Sequence, residues 1–441
     1  MKLTKAIFYL FLASIPLGTR FLVYQFTSGF HEYEAIFLYA SDILLISFLF
    51  LVFFQHSNIL KNVGMLRGGW ALIFFVVLSG VSIFWATAIG LAIYNFIKLC
   101  LLVLMALAIV QWLRSGSIRL SHILIILAGS AAFQSLLGFW QFLKQASIGL
   151  GFLGESVLGP TIGGSAKIIV NGAPILRAYG TFPHPNVLAA FLLLGLFSLY
   201  YLWFGYNTNG TNVMRASLVR FFLVGGFFVV ILGLILTFSR SAWVIGLFST
   251  MAFSIYWLVL KVSRRPAMFL VLALLTISSL LLVIFNSYIF PRAHISASEP
   301  AVVYRLEYNK LGMDLIKNNL LGVGIGNQVL YSVREGVYQK FGMDQVWQWQ
   351  PIHNIYLLIA SEVGIVGFLF FMVFIGYLIF DLRRLSFNPS HPTMLIMLMA
   401  LLIFGLVDHF LWTLQPGKLM LWLVVGMAIA RSVEVASLAS S

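Results

Sequence analysis

The sequence predicts an all-α polytopic membrane protein of about twelve transmembrane helices, with both termini in the cytoplasm. Of the 441 residues, 61% are hydrophobic and only 9% are charged, and the mean hydropathy is +1.00. A soluble fold of this length does not tolerate so much apolar surface, whereas a bilayer solvates it. The net charge of +14 is dispersed over loop edges, so it does not indicate a nucleic-acid-binding face.

Apolar runs long enough to cross a bilayer recur along the whole chain. The first one follows Lys2 and Lys5 and resembles a signal peptide, but no A-x-A-like cleavage site follows it, so we interpret it as a retained helix. Cys100 lies in an apolar run, which is typical of a small buried hydrophobe. By the rule of about 20 apolar residues per span, the runs lie at roughly 6–24, 36–55, 69–87, 90–112, 120–143, 186–204, 217–237, 241–261, 266–287, 354–380, 393–413 and 416–432.

The distribution of basic residues predicts the orientation of these spans. With the N-terminus inside, the short basic loops, such as the one that holds Arg114 and Arg119, all fall on the cytoplasmic side. An even number of spans then returns the C-terminus to the cytoplasm. Two long extracytoplasmic loops remain, at about 144–185 and 286–352, within one membrane domain over 1–441. Long connections of this kind are usually functional.

The second long loop is expected to contain an amphipathic helix over 304–317. Leu306, Leu311 and Leu315 recur there at near-helical spacing. The glycine-rich segment Gly322–Gly326 then predicts a turn, because no βαβ unit surrounds it that would make it a dinucleotide-binding loop.

Arg240 lies where the seventh apolar run meets the eighth. A guanidinium at membrane depth costs several kcal/mol, with scales ranging from about 3 to 10 kcal/mol or more, unless it meets water or an anion. Arg240 therefore either reaches to the membrane interface or serves as a fixed cation for phosphate oxygens, with Ser241 beside it as a donor. Arg305 stands in the second loop just before amphipathic spacing begins, where an arginine alone is typical of a solvated surface charge.

His353 and Asn354 directly precede the apolar run at 354–380. A histidine at a helix start is commonly a cap or an interfacial polar residue. However, the polar-aromatic segment Trp347–Pro351 before it suits stacking on sugars, and imidazole is the side chain best able to take a proton from a hydroxyl near neutral pH. Cations and an imidazole at helix ends of an apolar chain indicate a site for an anionic, lipid-carried substrate.

The segment 177–186 reads Arg-Ala-Tyr-Gly-Thr-Phe-Pro-His-Pro-Asn and ends at an apolar run. It is either a rigid loop that re-enters the membrane or a wall of the same cavity, with Arg177, His184 and Asn186 as polar contacts. Other ionisable residues in or near the runs are functional hypotheses by default, and pairing between helices is an equally good alternative for them: Asp42, Lys98, Glu362 and Asp408. No set of His, Cys, Asp or Glu has metal-ligand spacing.

Four segments together resemble the O-antigen ligase and O-antigen polymerase superfamily of bacterial envelope glycosyltransferases: 177–186, 238–246, 305–326 and 353–367. The resemblance covers about 170–430. It implies a helical membrane glycosyltransferase of the GT-C class, in the cytoplasmic (inner) membrane with an outward-facing active site. It also implies a polyprenyl-diphosphate-linked glycan as donor, a glycan or other hydroxyl as acceptor, and no cofactor or metal, because arginines neutralise the diphosphate.

The resemblance also implies roles for single residues. Arg240 and Arg305 match the diphosphate-binding arginines of the family, and His353 matches the histidine that engages the acceptor hydroxyl. These three are our predicted catalytic residues, and attack from the opposite ring face would invert the anomeric centre. The predicted substrate-binding residues are Arg177, His184, Asn186, Ser241 and Asn354.

Several alternatives stay open. A ligase, a polymerase and a protein O-oligosaccharyltransferase share these motifs, so the donor sugar and the acceptor are not predicted, and neither is the oligomeric state. A flippase for lipid-linked glycans also suits twelve spans, but such proteins usually show internal symmetry, and here the two halves look unlike. A cell-wall polymerase of the shape-and-division type would rest on a loop carboxylate, with Glu299, Glu307 and Asp314 as candidates.

Overall fold

The chain is mostly helical in a computed structural model that describes residues 1–55, 61–64, 66–206, 213–259, 264–293, 299–383 and 390–438. The α-helices, numbered in chain order, are α1 (Lys2–Ser14), α2 (Ala40–Gln55), α3 (Lys61–Gly64), α4 (Gly69–Val81), α5 (Ile89–Arg114), α6 (Leu120–Lys144), α7 (Pro185–Tyr206), α8 (Val213–Leu236), α9 (Arg240–Val259), α10 (Arg264–Ile284), α11 (Asn286–Ala293), α12 (Pro300–Asn318), α13 (Gln328–Arg334), α14 (Val337–Lys340), α15 (Ile355–Leu382), α16 (Ser390–Phe404), α17 (Phe410–Thr413) and α18 (Gln415–Leu438). Strands β1 (Arg20–Gln25) and β2 (Ala35–Tyr39) pair antiparallel, as do β3 (Lys167–Val170) and β4 (Ala173–Leu176).

Among the described helices, seven are long and apolar enough to cross a membrane by length and composition. They are α5 to α10 and α15. Three further apolar helices are shorter, at Ala40–Gln55, Gly69–Trp85 and Ser390–Phe404. The protein is thus a polytopic membrane protein. The total of about twelve spans and the orientation with both termini inside stay predictions.

Several apolar runs differ from the continuous helices that hydropathy predicts. The run at 6–24 holds α1, which ends at Ser14 two residues before Pro16, and most of β1. The run at 36–55 begins as β2 before α2, because its aromatic and branched residues pair with β1. The run at 393–413 is interrupted after α16. Hydropathy measures apolar content and does not register these breaks in the backbone.

The chain folds as two compact units that are each assembled from separate stretches. Unit 1 comprises Met1–Thr19, Gly116–Ile295 and Leu382–Phe404, and unit 2 comprises Arg20–Ser115, Ser296–Asp381 and Gly405–Ser441. In unit 1, α6 packs against α7 and α8, and α16 packs against α7 and α9. In unit 2, α18 packs along α5.

Small residues allow the helices within each unit to approach closely. A Cβ atom on Gly195 of α7 would lie 2.2 Å from the Cβ atom of Ala131 in α6. In unit 2, a Cβ atom on Gly426 of α18 would lie 2.9 Å from the Cα atom of Ala106 in α5. Apolar helices in lipid associate through such close packing, because the hydrophobic effect does not drive them together.

The glycine-rich segment of unit 2 forms the turn that the sequence predicts, and it fills a break in α15. Gly364 has non-helical dihedral angles, with φ 84° and ψ 164°. The backbone N–H of Val323 donates to the Ser361 carbonyl at 2.9 Å, and the N–H of Ile365 donates to the Leu320 carbonyl at 3.1 Å. Broken helices within membranes require such replacement partners for their backbone groups.

We expect Gly322→Ala to destabilise the protein by more than the cost of its backbone conformation alone. Gly322 has φ 82°, and an added Cβ would lie 2.4 Å from the Glu362 carbonyl oxygen. The left-handed conformation costs a non-glycine residue about 1–2 kcal/mol, and the clash with backbone atoms adds to it. Gly342→Ala is the matched control, because Gly342 has φ 70° but open space around it. The measurement is the melting temperature of each variant in detergent. Equal melting temperatures for the two variants would contradict this account.

Three ionisable residues inside unit 2, Asp42, Lys98 and Glu362, have polar partners within the protein. The Lys98 ammonium forms an ion pair with Asp42, and the Gln415 side chain donates to the other carboxylate oxygen at 2.7 Å. The Glu362 carboxylate accepts hydrogen bonds from the Gly326 N–H at 2.8 Å and from the Trp412 indole N–H at 2.8 Å. These contacts support the structural alternative for Asp42, Lys98 and Glu362.

Candidate functional site

In unit 1, the predicted loop residues lie against the turn between α8 and α9. The Arg177 side chain is buried, and its Nε–H donates to the Thr237 carbonyl at 2.6 Å. The N–H of Ala178 donates to the Leu236 carbonyl at 2.9 Å. At least two of the five donors of the Arg177 guanidinium are used for structure, because an Nη2–H also donates to Asn186 at 2.9 Å.

The turn itself presents its carbonyl groups to arginines. Phe238 is fully buried and adopts φ 47°, an unusual conformation for a bulky residue. The Arg292 Nε–H donates to the Phe238 carbonyl at 3.2 Å. Arg240 follows as the first residue of α9 and is half-buried, as is Ser241. Arg177 and Arg292 therefore bind carbonyl groups of the turn at 237–239, and Arg240 directly follows this turn as the first residue of α9.

His184 and Asn186 lie at the start of α7. The N–H of Asn186 donates to His184 Nδ1 at 3.1 Å, and the His184 carbonyl accepts from the N–H groups of Val187 and Leu188. The Asn186 side chain is buried and its oxygen is bound by Arg177. Arg177, His184 and Asn186 thus form one hydrogen-bonded group, and their predicted contact with substrate stays a prediction.

In unit 2, His353 is held between two aromatic rings. It stacks on Tyr308 of α12 with ring centroids 4.8 Å apart and an interplanar angle of 9°. The His409 ring meets it edge-on at 4.7 Å and 83°. The Tyr308 hydroxyl donates to the Gln348 carbonyl at 2.7 Å, and His409 Nδ1 lies 2.7 Å from the Thr413 hydroxyl. The imidazole plane of His353 is therefore fixed from both sides.

The backbone also selects the tautomer of His353. Its Nδ1 atom lies 2.9 Å from the Pro351 carbonyl oxygen. A carbonyl oxygen only accepts hydrogen bonds, so Nδ1 carries a proton and Nε2 of the neutral ring keeps its lone pair. Nε2 forms no hydrogen bond with any residue in the described part of the chain. A neutral His353 is thus a base with one available nitrogen.

The surroundings favour the neutral form of His353. Burial lowers the pKa of its imidazole below the usual 6.5, and the nearby Arg305 guanidinium lowers it further. Asp408 and the Pro351 carbonyl act in the opposite direction but do not reverse the shift. The ring is therefore neutral, and able to accept a proton, at physiological pH.

Arg305 of α12 lies one helical turn before Tyr308 and is half-buried. Its Nε atom is inaccessible to solvent, and the guanidinium forms neither a hydrogen bond nor an ion pair with any residue that the structure describes. A buried donor without a partner costs about 1–3 kcal/mol, more for a charged group. Arg305 is therefore a cation suited to an anionic ligand.

Asn354 has a structural task. Its side-chain oxygen accepts from the N–H groups of Tyr356 at 3.0 Å and Leu357 at 3.2 Å, so it caps the first turn of α15. The carbonyl of Gly405 accepts from the Ile355 N–H at 2.8 Å, in the break that follows α16. These bonds place His353 at a fixed distance from the helix start. A contact between Asn354 and substrate stays a prediction.

Sequence reasoning missed two of these rings and one arginine. Tyr308 was visible three residues after Arg305 on a predicted helix, and that spacing was the available signal. His409 follows Asp408 within an apolar run, and two adjacent polar residues in such a run were the available signal for both. Arg292 had no signal, because only the tertiary structure brings it to Phe238.

Apolar helices of spanning length define a multi-pass membrane protein, in which the half-buried imidazole of His353 lies near a guanidinium, that of Arg305, without a hydrogen-bond partner among the described residues. Residues 225–372 match a family model described as O-antigen ligase, and this match supports an assignment to the O-antigen ligase and polymerase family. The match includes Arg240, Arg305 and His353, and it confirms the resemblance there, while 177–186 lies outside it. It supports a membrane glycan-transfer function. A search of curated proteins gave no match.

Proposed function

We propose that the protein transfers a glycan from a polyprenyl-diphosphate carrier to an acceptor hydroxyl on the extracytoplasmic face of the bacterial inner membrane. The observation that carries this proposal is the His353 group, inside the segment that matches the O-antigen ligase family. There, a neutral imidazole with an available Nε2 lies close to a half-buried guanidinium that has no partner among the residues the structure describes. A base for a hydroxyl and a cation for a phosphate are the two groups that this reaction needs.

The arginines are proposed to act on the leaving group. When the glycosyl bond to the diphosphate breaks, the bonding electrons pass to the phosphate oxygen, and negative charge grows there. Cations that bind this charge more strongly in the transition state than in the ground state accelerate the step. Arg240 and Arg305 are assigned this role, with Ser241, Arg177 and Arg292 beside Arg240 in unit 1. Because guanidinium groups supply the charge, the reaction is proposed to need no metal or other cofactor.

His353 is proposed to act on the acceptor. Its Nε2 takes the proton of the acceptor hydroxyl while that oxygen forms a new bond to the anomeric carbon, and the diphosphate leaves from the opposite side. One carbon–oxygen bond forms and one breaks, so the anomeric configuration inverts. The proton then leaves His353 for solvent or for the released diphosphate, which restores the neutral ring.

The membrane arrangement that accompanies this proposal is the predicted GT-C-like one. The termini are inside, the active site faces outward, and His353 and Arg305 belong to the long loop at 286–352 and its edge. The basic short loops carry the argument for this orientation. Labelling of an introduced cysteine from the extracytoplasmic side would test this orientation. The variant Lys317→Cys is suited to it, because position 317 of α12 is exposed.

Reconstitution tests the proposed function directly. We expect proteoliposomes that contain the full chain to transfer glycan from a polyprenyl-diphosphate donor to a hydroxyl acceptor, with equal rates in EDTA and in magnesium. Product mass separates the remaining choices, because a single addition indicates a ligase, a ladder indicates a polymerase, and a modified peptide indicates a protein oligosaccharyltransferase. No product from any acceptor, or a strict requirement for metal, would contradict the proposal.

A further inference from the structure

The β1–β2 hairpin of unit 2 carries an apolar surface that no described part of the chain covers. Cross-strand pairing places Phe21 opposite Leu38 and Tyr24 opposite Ile36 on one face of the hairpin. Of these residues, Phe21 is 70% exposed, Tyr24 56% and Leu38 42%. Phe37, on the opposite face, is only 6% exposed. Phe21, Tyr24 and Leu38 are called the outer face below.

Contacts with α5 fix the level of this hairpin in the membrane. The Tyr94 hydroxyl donates to the Phe37 carbonyl at 2.9 Å, and a Cβ atom on Gly90 would lie 3.2 Å from the Phe26 ring. Tyr94 lies twenty residues from Arg114, the last residue of α5, which is about 30 Å of helix at about 1.5 Å per residue. Gly90 lies about 6 Å farther along the same helix.

These distances place the hairpin in the interfacial layer of the bilayer. With Arg114 at one membrane surface, about 30 Å is the thickness of the hydrocarbon core, and the headgroup layer continues for about 5–8 Å beyond it. At the same level α5 exposes Ile93 and Ile97, as helices do where they contact lipid. The hairpin therefore begins at the edge of the acyl chains and extends into the headgroups.

The backbone of the hairpin also suits this layer. Its sheet has two strands, so one edge of β1 pairs with no other strand in the described part of the chain. Hydrocarbon does not tolerate such an edge, because unpaired backbone groups there cost several kcal/mol each, whereas water in the headgroup layer can bind them. The register shift between Leu22 and Tyr24 bends this edge, and a bulged edge disfavours pairing with a strand of another copy.

The outer face carries no charge that would attract a soluble ion or an anionic glycan. Arg20 and Glu32 of the hairpin bind each other at 2.5 Å. The Arg20 guanidinium also lies 4.2 Å from the centre of the Phe37 ring, on the buried side. Aromatic side chains are enriched where membrane proteins cross the interface. Lipid is therefore the partner whose chemistry fits the outer face.

We propose that the β1–β2 hairpin is an interfacial anchor, with its outer face against the lipid of the leaflet far from Arg114. In the predicted orientation this is the outer leaflet. The proposal goes beyond glycan transfer and does not depend on it. It also concerns the candidate site, because Tyr33, between the two strands, meets the His409 ring at 5.5 Å between centroids, and His409 contacts His353.

Spin-label accessibility tests this proposal in liposomes of phosphatidylethanolamine and phosphatidylglycerol. Cys100 is the only cysteine, so Cys100→Ala provides a background in which Phe21→Cys is labelled alone. Asp344→Cys, at an exposed polar loop position of unit 2, is the control. We expect the ratio of collisions with oxygen to collisions with a nickel chelate to be about fivefold higher or more at position 21 than at position 344, because oxygen concentrates in acyl chains and the chelate in water.

Leu38→Cys gives the same measurement from the other strand if Phe21→Cys does not fold. Equal ratios at the hairpin and at position 344 would mean that the outer face meets water, and would overturn the proposal. Loss of collisions with both reagents would mean that protein covers this face, and would overturn it as well. Disulfide crosslinking of unlabelled Phe21→Cys chains would then identify a second copy as that protein.

Discussion

Replacing His353 with alanine is expected to lower the rate of glycan transfer by about 10²–10⁴-fold, the usual contribution of a general base. Binding of the lipid-linked donor should change little, because the histidine is assigned to the acceptor hydroxyl. Single-turnover transfer in proteoliposomes measures the first quantity, and equilibrium binding of the donor to the purified protein measures the second. An equal loss of both would indicate that His353 has a structural role.

Tyr308 separates positioning from folding in this experiment. Tyr308→Phe keeps the ring that stacks on His353 and removes only the hydroxyl bond to the Gln348 carbonyl. Tyr308→Leu removes the stacked ring. We expect the leucine variant to lower kcat much more than the phenylalanine variant, with little change in KM for the donor. If both variants lost activity in proportion to lost thermal stability, the stack would have no role in catalysis.

The pH profile follows from the state of His353. The imidazole is active as the neutral base, and burial together with Arg305 lowers its pKa below 6.5. Activity should therefore persist below pH 6.5 and fall as pH drops through that lowered pKa. The groups that set it are Arg305, which lowers the pKa, and Asp408 and the Pro351 carbonyl, which raise it. The adjacent His409 and Tyr308 rings contribute the burial.

Replacing Arg305 with alanine is expected to lower transfer by about 10²–10³-fold, similar to the loss of one preorganised donor to a developing negative charge. The guanidinium forms no hydrogen bond or ion pair with the described residues, so its removal should not lower the melting temperature. Arg334→Ala is the matched control, since Arg334 is an exposed arginine of unit 2. Arg240→Ala should abolish transfer in the same assay, with membrane insertion unchanged.

Arg305 also has a signature in the pH profile that a purely structural residue lacks. Arg305→Ala removes a charge that lowers the pKa of His353, so the acid limb of the remaining activity should move to higher pH. Arg305→Lys keeps the charge and should leave the limb in place, although it loses the two parallel donors that suit a phosphate. Asp408→Asn should move the limb to lower pH. A limb that does not move in any variant would contradict the assignment of His353 as the base.

Much of the membrane architecture could be predicted, because a long apolar run has few alternatives to a helix in lipid. The runs at 90–112 and 120–143 correspond closely to α5 and α6. The predictions were wrong where a short polar or irregular segment interrupts an apolar run, as after Ser14 and after Phe404. Average hydropathy over a window does not change enough at such a break to reveal it.

The candidate residues could be identified in the sequence by the chemistry of their side chains, but the residues that contact them could not. Arg305 and His353 were identified from their chemistry, and the family match includes both. Tyr308 stacks on His353 although the two residues are 45 positions apart in the chain, and His409, the other ring in contact with His353, is 56 positions away. Asn354 was expected to meet substrate, and its side-chain oxygen caps α15.

By itself, the sequence determined that this protein lies in a membrane, where its cations stand along the chain, and which family it resembles. These properties depend on composition and on the spacing of residues within one segment, and both can be read from residues that are neighbours in the chain. Only the tertiary structure decided which nitrogen of His353 carries the proton, and that Arg305 has no protein partner among the described residues. Each of these depends on atoms that distant segments bring within a few ångströms, where burial and hydrogen bonding control charge.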